Sequence, residues 1–206
     1  CFPQLAAVVG LRNALSRRPV PTIAWVFNLG HTPVGLKRKV AMRAFREISL
    51  FAVHSTPEIK AYSDWLEMPR ERFRYVPLQR PPAKRFDGPS VGEPYAIALG
   101  SAKRDYASVL LALGRLKMRA IVVAAPHALA GLHVPPNVEV KSGLTAEACL
   151  QWLQGARVHV LALANPTTAS GQVTLLDAMA YGIASVVTAC PGTVDYATHN
   201  EDALVV

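Results

Sequence analysis

The sequence predicts an α/β protein with two parallel-sheet lobes. Short apolar segments of strand length alternate with helical segments along the chain, which is typical of parallel sheets covered by helices on both faces. Of the 206 residues, 51% are hydrophobic and 17% are charged. This composition provides enough apolar surface for a core and is not typical of a disordered chain.

A segment rich in proline and glycine divides the chain. Residues 79–94 (QRPPAKRFDGPSVGEP) contain the strongest cluster of helix- and strand-breaking residues. We therefore predict a first lobe at residues 1–86, a linker at 87–94 and a second lobe at 95–206. The chain begins at Cys1 and ends within a predicted strand, so we expect a fragment of a longer protein.

In the first lobe, helices and strands alternate. The helices are predicted at Leu5–Leu15, Leu36–Leu50 and from Pro57 to about Leu66, with Ser55 or Thr56 as a cap of the third. The strands are predicted at Thr22–Phe27, Phe51–His54 and Arg74–Pro77.

The second lobe repeats the alternation more regularly. The strands are predicted at Tyr95–Leu99, Arg119–Ala124, Val138–Val140, Val158–Leu163, Ser185–Thr188 and in the tail at 203–206. The helices are predicted at Tyr106–Leu116, Ala146–Gln154 and Val173–Tyr181. In such sheets, ligands bind at the carboxyl ends of the strands.

Charge is distributed unevenly between the two lobes. Residues 1–92 hold 15 Lys or Arg against six Asp or Glu, whereas residues 93–206 hold seven against eight. This asymmetry predicts different partners for the two lobes. No apolar run is long enough to span a bilayer. The three cysteines form no CxxC pair and no His/Cys cluster, so we expect no structural zinc, and the cysteine usage is typical of the cytoplasm. No cofactor is expected either.

The segment 165–192 has the strongest chemical signal. A strand ends in the loop NPTTASGQ, and a helix begins near Ser170, which is a candidate cap. Gly171 permits a close backbone approach, and the N–H groups of Gly171, Gln172 and Val173, with Thr174 beside them, are positioned for an anion. Asp177 lies two turns further on, where a carboxylate accepts hydrogen bonds from ribose hydroxyls. An ordinary capped helix with a solvent-facing aspartate fits the same residues.

Other candidates lie in the loops after predicted strands. The loop GSAKRDY offers Gly100, Ser101, Lys103 and Arg104 as diphosphate ligands, although a solvated loop is the alternative. The loop KSGLT, with Gly143 and Leu144, is a weaker candidate for contact with a nucleobase. In the first lobe, Asn28 and His31 follow a strand and are candidates for contact with a sugar.

The run SGQVTLLDAMAYGIASVVTACPGTVDY resembles the signature of family-4-like glycosyltransferases with the GT-B fold. GSAKRDY resembles the basic loop of their donor domain. SLFAVHSTPEIKAYSDWLEMPRERFRYVPLQ resembles the run that precedes their interdomain linker, and HNEDALVV their next strand. The resemblance covers nearly the whole chain and is strongest over 165–206.

The resemblance implies two Rossmann-like lobes with a cleft between them, the N-terminal lobe being incomplete. It implies transfer of a sugar from a nucleotide-sugar donor to an acceptor hydroxyl, without a metal and with retention of anomeric configuration. Asp177 matches the second acid of the family's Glu-x7-Glu motif. Ala169 stands where the first acid belongs, and Phe27-Asn28 where many members have a histidine.

The segment 36–50 gives a further hypothesis. As a helix, it places Lys39, Arg43 and Arg46 on one face and apolar residues on the other. A solvated basic face explains this pattern, and so does contact with anionic lipid at the inner face of a membrane. The second interpretation suits a glycan or lipid-linked acceptor in bacterial polysaccharide biosynthesis.

Three alternatives to a glycosyltransferase remain open at the level of sequence. They are a nucleotide-sugar epimerase with the same fold, a non-catalytic binding subunit and a nucleic-acid-binding protein. The departures at Ala169 and Asn28 favour the second. The third is suggested by the pI of about 9.7, but the chain has no recognised nucleic-acid motif.

Overall fold

The computed structural model describes residues 3–86, 93–164 and 167–206. They form two compact units. The first unit comprises Cys1–Leu78 with Thr167–Ala169, and the second comprises Gln79–Pro166 with Ser170–Val206. Each unit has its own parallel sheet with helices around it. The predicted α/β class with two parallel sheets is therefore confirmed.

The first unit has a three-stranded sheet of order β1-β2-β3, in which all pairs are parallel. Its elements in chain order are α1 (Pro3–Leu15), β1 (Ile23–Ala24), α2 (Leu36–Phe45), β2 (Leu50–Val53), α3 (Thr56–Leu66) and β3 (Phe73–Tyr75). Ala24 pairs with Phe51, and Phe51 pairs with Phe73. The core of the unit is an aromatic cluster on this sheet, formed by Phe27, Phe45, Phe51, Tyr62 and Phe73.

Two elements of the first unit are shorter than predicted. The strand predicted at Thr22–Phe27 is a β-strand only at Ile23–Ala24, because the chain turns at Val26, whose φ is 56°. The helix predicted at Leu36–Leu50 ends at Phe45. The amide of Ile48 bonds back to the carbonyl of Phe45 at 3.0 Å, and a guanidinium from elsewhere in the unit, that of Arg72, donates to the Ile48 carbonyl.

The second unit has a six-stranded parallel sheet of order β6-β5-β4-β7-β8-β9. Its strands are β4 (Tyr95–Leu99), β5 (Arg119–Val123), β6 (Val138–Lys141), β7 (Val158–Leu161), β8 (Ala184–Val187) and β9 (Leu204–Val205). Its helices are α4 (Tyr106–Gly114), α5 (Ala146–Gln154) and α6 (Gln172–Ala180). Each prediction for this unit corresponds to one element, with ends that differ by no more than two residues. The helix predicted at Val173–Tyr181, for example, is shifted by one residue.

The strand order of the second unit defines a topological switch point. Numbered within the unit, the strands follow the order 3-2-1-4-5-6, and the chain reverses its direction of progress between β4 and β7. All five residues of β4 are buried, as expected for the central strand of a doubly covered sheet. The crevice at the carboxyl ends of β4 and β7 is where ligands bind in this class of sheet.

The proline-rich segment does not pack as predicted. Residues 79–86 were assigned to the first lobe, but their contacts place them in the second unit. Phe86 and Gln154 of α5 exchange two hydrogen bonds, and Lys84 forms an ion pair with Glu147. Proline and glycine indicate irregular chain, which residues 79–86 form, but they carry no information about which unit the chain contacts. The predicted linker 87–94 falls largely on residues 87–92, which lie outside the described residues.

Candidate functional site

The loops that follow β4 and β7 are joined by backbone hydrogen bonds. The amide of Asp105 donates to the carbonyl of Ala162 at 3.0 Å, and the amide of Ala164 donates to that of Lys103 at 2.9 Å. Arg104 and Leu163 form an antiparallel bridge between the same loops. The two loops therefore form one surface at the switch point.

Arg104 lies at the centre of this surface. Its Nε donates to the carbonyl of Leu99 at 3.1 Å, Nη1 to that of Ala102 at 2.9 Å, and Nη2 to Thr174 Oγ1 at 3.0 Å. Burial lowers the pKa of Arg104, but a guanidinium remains charged at neutral pH. Three of its five N–H groups are used, which leaves one N–H on each terminal nitrogen. Arg104 thus carries a fixed positive charge between the loop after β4 and the first turn of α6.

Helix α6 begins differently from the prediction. Its N-cap residue is Gly171, at φ 84° and ψ −13°, rather than Ser170. Ser170 is buried, and its hydroxyl donates to the carbonyl of Ala102 at 3.1 Å. The left-handed conformation at Gly171 explains the difference, because glycine adopts it without steric cost. A Cβ at Gly171 would also lie 2.7 Å from a methyl group of Leu161.

The first turn of α6 faces the same edge of the sheet. Its first backbone bond runs from Leu175 to the carbonyl of Gly171 at 3.1 Å, so the amides of the preceding residues point out of the helix at its N-terminus. Such amides, with the helix dipole, favour an anion. Gln172 is buried, while Val173 is 45% exposed.

The loop after β8 packs against the backbone of Ser170. A Cβ at Gly192 would lie 2.2 Å from the carbonyl oxygen of Ser170. The buried Thr193 accepts a hydrogen bond from the amide of Cys190 at 3.0 Å and donates to the carbonyl of Thr188 at 2.9 Å. No residue of this loop was among the predicted site residues. The run Cys-Pro-Gly-Thr after a strand was the available signal.

Asp177 is paired with an arginine that the sequence analysis did not single out. Arg80 Nε lies 2.8 Å from Asp177 Oδ1, and Arg80 Nη2 lies 3.1 Å from Oδ2. The Asp177 side chain is 13% exposed and that of Arg80 is 31% exposed. The two residues are 97 positions apart in the chain, and no local pattern connects them.

The remaining predicted donor-site residues lie in loops of the second unit. Ser101 is exposed, and Lys103 is half-buried with a left-handed φ of 55°. Gly143, at φ 67°, and Leu144 follow β6, where Thr145 caps α5 by accepting from the amide of Ala148 at 3.1 Å. Their loop lies two strands from β4 along the sheet edge.

Asn28 and His31 belong to the first unit. Asn28 Oδ1 accepts from the amide of Gly30 at 2.7 Å, and Asn28 Nδ2 donates to the carbonyl of Ala169 at 3.2 Å. His31 is exposed. The amide of Leu29 donates to the hydroxyl of Tyr62 at 3.1 Å. This bond fixes the loop that carries Asn28 and His31 to α3.

Two absences among the described residues bear on the class of site. Over residues 3–86, 93–164 and 167–206, no group of three or more His, Cys, Asp or Glu side chains is placed to hold a metal ion. Within the same ranges, no helix combines the length and apolar character needed to cross a bilayer.

Comparison with known proteins gives a match in structure but not in sequence. No protein-family model matches the chain, and no curated protein matches it. HepE from Anabaena, solved with UDP and glucose, is similar over 100% of this chain and 62% of its own, with a TM-score of 0.78 and 14% identity. Sucrose-phosphate synthase from Thermosynechococcus elongatus is similar over 100% of this chain and 59% of its own, with a TM-score of 0.76 and 15% identity.

A third similar structure is a glycosyltransferase from Rickettsia africae. It matches 99% of this chain and 65% of its own, with a TM-score of 0.69 and 11% identity. The chain thus spans about three fifths of the length of these proteins. Likeness at this identity establishes the fold, and the predicted GT-B type is confirmed.

Proposed function

We propose that the second unit binds a nucleoside diphosphate sugar at the carboxyl ends of β4 and β7. The observation that carries this proposal is the position of Arg104. Its half-buried guanidinium is fixed by Leu99, Ala102 and Thr174 between two loops of the switch point, beside the amides that open α6. A fixed cation next to a helix N-terminus suits a diphosphate.

The other parts of the donor follow from the sheet edge. Asp177 lies on α6 beyond the first turn, where its carboxylate is available to ribose hydroxyls. The loop of Gly143 and Leu144 lies about 10 Å from β4, given the usual spacing of neighbouring strands. A nucleoside diphosphate is long enough to place its base near this loop and its phosphates at Arg104.

The reaction we propose is transfer of the sugar to an acceptor hydroxyl by the complete protein. Lys103, Arg104 and the amides at the start of α6 stabilise the diphosphate as it leaves, so that no metal is required. We further propose retention of anomeric configuration, and contact of Asn28 and His31 with the sugar or acceptor. The similar HepE structures contain UDP, UDP-glucose, or UDP and glucose, which makes UDP-sugars the first donors to test.

A thermal-shift screen of the full-length protein against UDP, GDP, ADP and dTDP tests the binding proposal. We expect one nucleoside diphosphate to raise the melting temperature, and Asp177→Ala to weaken that shift. Thr198 follows α6 and β8 in the chain and is not among the proposed ligands. Thr198→Ala is therefore a control and should leave the thermal shift unchanged. Absence of any shift with all four nucleotides would contradict the proposal.

A non-catalytic binding subunit is the second candidate. Alanine stands at position 169, where the resemblance implies an acid. Ala169 is buried, and its carbonyl accepts the hydrogen bond from Asn28. Incubation of the full-length protein with a UDP-sugar and an acceptor separates the candidates. A new glycosidic bond identifies a transferase, a changed sugar in the nucleotide identifies an epimerase, and binding without turnover identifies a subunit.

We also propose that the first unit contacts anionic lipid, at the cytoplasmic face of a membrane that carries the acceptor. The first 46 residues contain eight Lys or Arg and no Asp or Glu. Lys39 and Arg43 are exposed on α2, and Arg46 is exposed directly after its end. Exposed apolar side chains of the same unit include Leu15 at 89% and Leu36 at 77%. Cations beside exposed apolar groups favour an anionic bilayer surface.

A further inference from the structure

Arg80 reaches the donor side of α6 from the irregular segment of residues 79–86. It binds Asp177 side-on, with one nitrogen to each carboxylate oxygen at 2.8 and 3.1 Å. This bidentate geometry fixes the plane of a carboxylate as well as its charge. Arg80 comes from segment 79–86 and Asp177 from α6, so neither residue of the pair belongs to a loop at the carboxyl edge of the sheet.

The segment that carries Arg80 is itself held to α6 and α5. The hydroxyl of Tyr181, one turn beyond Asp177 on α6, donates to the carbonyl of Lys84 at 3.0 Å. Lys84 Nζ pairs with Glu147 of α5 at 2.8 Å. Arg80 therefore approaches Asp177 from an anchored backbone, and the pair is a defined contact between fixed elements.

The pairing leaves part of the Asp177 carboxylate available. A carboxylate has about four acceptor positions, two on each oxygen. Arg80 takes one on each oxygen, so one remains on each. Two vicinal ribose hydroxyls are a matching pair of donors. Thr174, which contacts Arg104, lies one turn before Asp177 on the same face of α6, so the remaining acceptor positions lie along the stripe that begins at the diphosphate site.

We propose that Arg80 is a positioning residue for ribose recognition. It holds the Asp177 carboxylate in the orientation that accepts the ribose hydroxyls, and it thereby sets the preference of the site for ribonucleotides over deoxyribonucleotides. This inference rests on the proposed function, in which Asp177 contacts the ribose.

The test measures the preference rather than the affinity alone. The best nucleoside diphosphate from the screen and its 2′-deoxy analogue are titrated calorimetrically against the full-length wild type, Arg80→Gln, Arg80→Lys and Lys84→Gln. We expect the wild type to bind the ribonucleotide about tenfold more tightly, which corresponds to one hydrogen-bonded hydroxyl. Arg80→Gln should reduce this ratio to about twofold, because the 2′-hydroxyl bond depends on the orientation of the Asp177 carboxylate. The loss of affinity should be smaller for the deoxy analogue, which keeps only the 3′-hydroxyl.

The variants separate geometry from charge. Lys84→Gln removes a cation of the same segment whose partner is Glu147, and it should keep the wild-type ratio. Arg80→Lys retains charge without the bidentate contact, and it should give a reduced ratio. A wild-type ratio in Arg80→Gln would overturn the inference. So would an equal loss for both nucleotides, which indicates direct contact with the diphosphate, or tighter ribonucleotide binding, which indicates that Arg80 competes with ribose.

Failure of the proposed function gives a different result. If the wild type binds none of the nucleotides, both the proposed function and this inference are wrong. If the wild type binds but Asp177→Ala leaves the ratio unchanged, nucleotide binding stands and the role of Arg80 is overturned. Urea unfolding of each variant shows that the comparison is between folded proteins.

Discussion

The guanidinium of Arg104 occupies the space that a side chain at Gly100 would need. An ideal Cβ on Gly100 would lie 2.3 Å from Arg104 Nη2 and 2.7 Å from Nε. Gly100 also has a φ of 124°, a conformation that other residues rarely adopt. The last residue before the basic loop is therefore glycine because the arginine four positions later packs across it.

Gly100→Ala should displace Arg104 and weaken nucleotide binding. We expect an affinity loss of about tenfold, or 1.4 kcal/mol, measured by calorimetry with the nucleotide found in the screen. Gly131→Ala is the matched control, because Gly131 also has a positive φ but no atom lies within 4 Å of its Cβ position. Equal affinities for the two variants would show that Arg104 does not depend on Gly100.

Gly192→Ala should destabilise the loop after β8. Its Cβ would lie 2.2 Å from the Ser170 carbonyl oxygen and 2.4 Å from the Ser170 nitrogen, and backbone atoms do not move aside cheaply. We expect a loss of about 2 kcal/mol in the free energy of unfolding, typical of overpacking. Urea denaturation measures it. Gly192 does not have a positive φ, so the loss reports the steric overlap alone, and an unchanged free energy of unfolding would contradict the prediction.

Tyr62→Phe should destabilise the first unit. The Tyr62 hydroxyl donates to Glu58 Oε1 at 2.6 Å and accepts from the Leu29 amide at 3.1 Å, and Glu58 is buried. Burial, with the nearby Glu58 charge, raises the pKa of Tyr62, so the hydroxyl keeps its proton. Removing the hydroxyl takes one hydrogen-bond donor from the buried Glu58 carboxylate, which should lower the free energy of unfolding by about 1–3 kcal/mol. Tyr181→Phe, whose bond is exposed, should change stability far less.

Stability should fall at acidic pH through His159. This histidine of β7 is fully buried, Nδ1 lies 3.3 Å from Ser185 Oγ, and among the described residues Nε2 has no hydrogen-bond partner. Burial, with the Arg104 charge, lowers the pKa of His159 from 6.5 to about 4. Between pH 6.5 and 4 the unfolded state binds a proton at His159 that the folded state does not bind. The contribution of His159 to the free energy of unfolding is therefore fully present above pH 6.5 and is lost as the pH falls towards 4, by about 3 kcal/mol in all.

The His159→Gln variant isolates this contribution. Urea unfolding of wild type and variant at pH 7 and 4.5 should show a smaller loss in the variant, because glutamine does not titrate. His133→Gln changes an exposed histidine and should follow the wild type. Parallel pH dependence of His159→Gln and wild type would contradict the prediction.

Sedimentation with phosphatidylserine vesicles tests the lipid contact of the first unit. At low salt the full-length wild type should pellet, whereas the triple variant Lys39→Ala, Arg43→Ala, Arg46→Ala should lose about a hundredfold in partitioning, given about 1 kcal/mol per cation. A triple alanine variant of the second unit removes the same charge from three exposed sites, Arg115, Lys117 and Arg157. No pelleting of the wild type would end the proposal.

The elements with local signals were predictable from the sequence. Helix α5 was predicted with its observed bounds. Two local signals accompany these bounds, since Thr145 caps the start of the helix and Gly155 follows its end. Helix α2 was predicted to run to Leu50, because the apolar pattern continues through Ile48. In the structure α2 ends at Phe45, and the guanidinium of Arg72, 26 residues away from Arg46, donates to the Arg46 carbonyl, which a helix running to Leu50 would use. Such tertiary competition leaves no local trace.

The candidate site was predictable in its loops but not in its pairs. Strand ends and glycines located the segments around Arg104, Gly171 and Asp177. The contacts of Arg104 with Thr174 and of Asp177 with Arg80 join positions 70 and 97 residues apart. Gly171 rather than Ser170 caps α6 because the backbone conformation, which the residue types alone left open, is left-handed there.

The three hydrogen bonds of Arg104 have a thermodynamic consequence for any anion that binds beside it. A long cationic side chain in solution samples many rotamers, and restricting it on binding costs about 0.5–1.5 kcal/mol. In this protein that loss of rotamer entropy occurs when the chain folds, because Leu99, Ala102 and Thr174 already restrict the guanidinium. An incoming phosphate therefore meets a cation with little side-chain freedom left to lose.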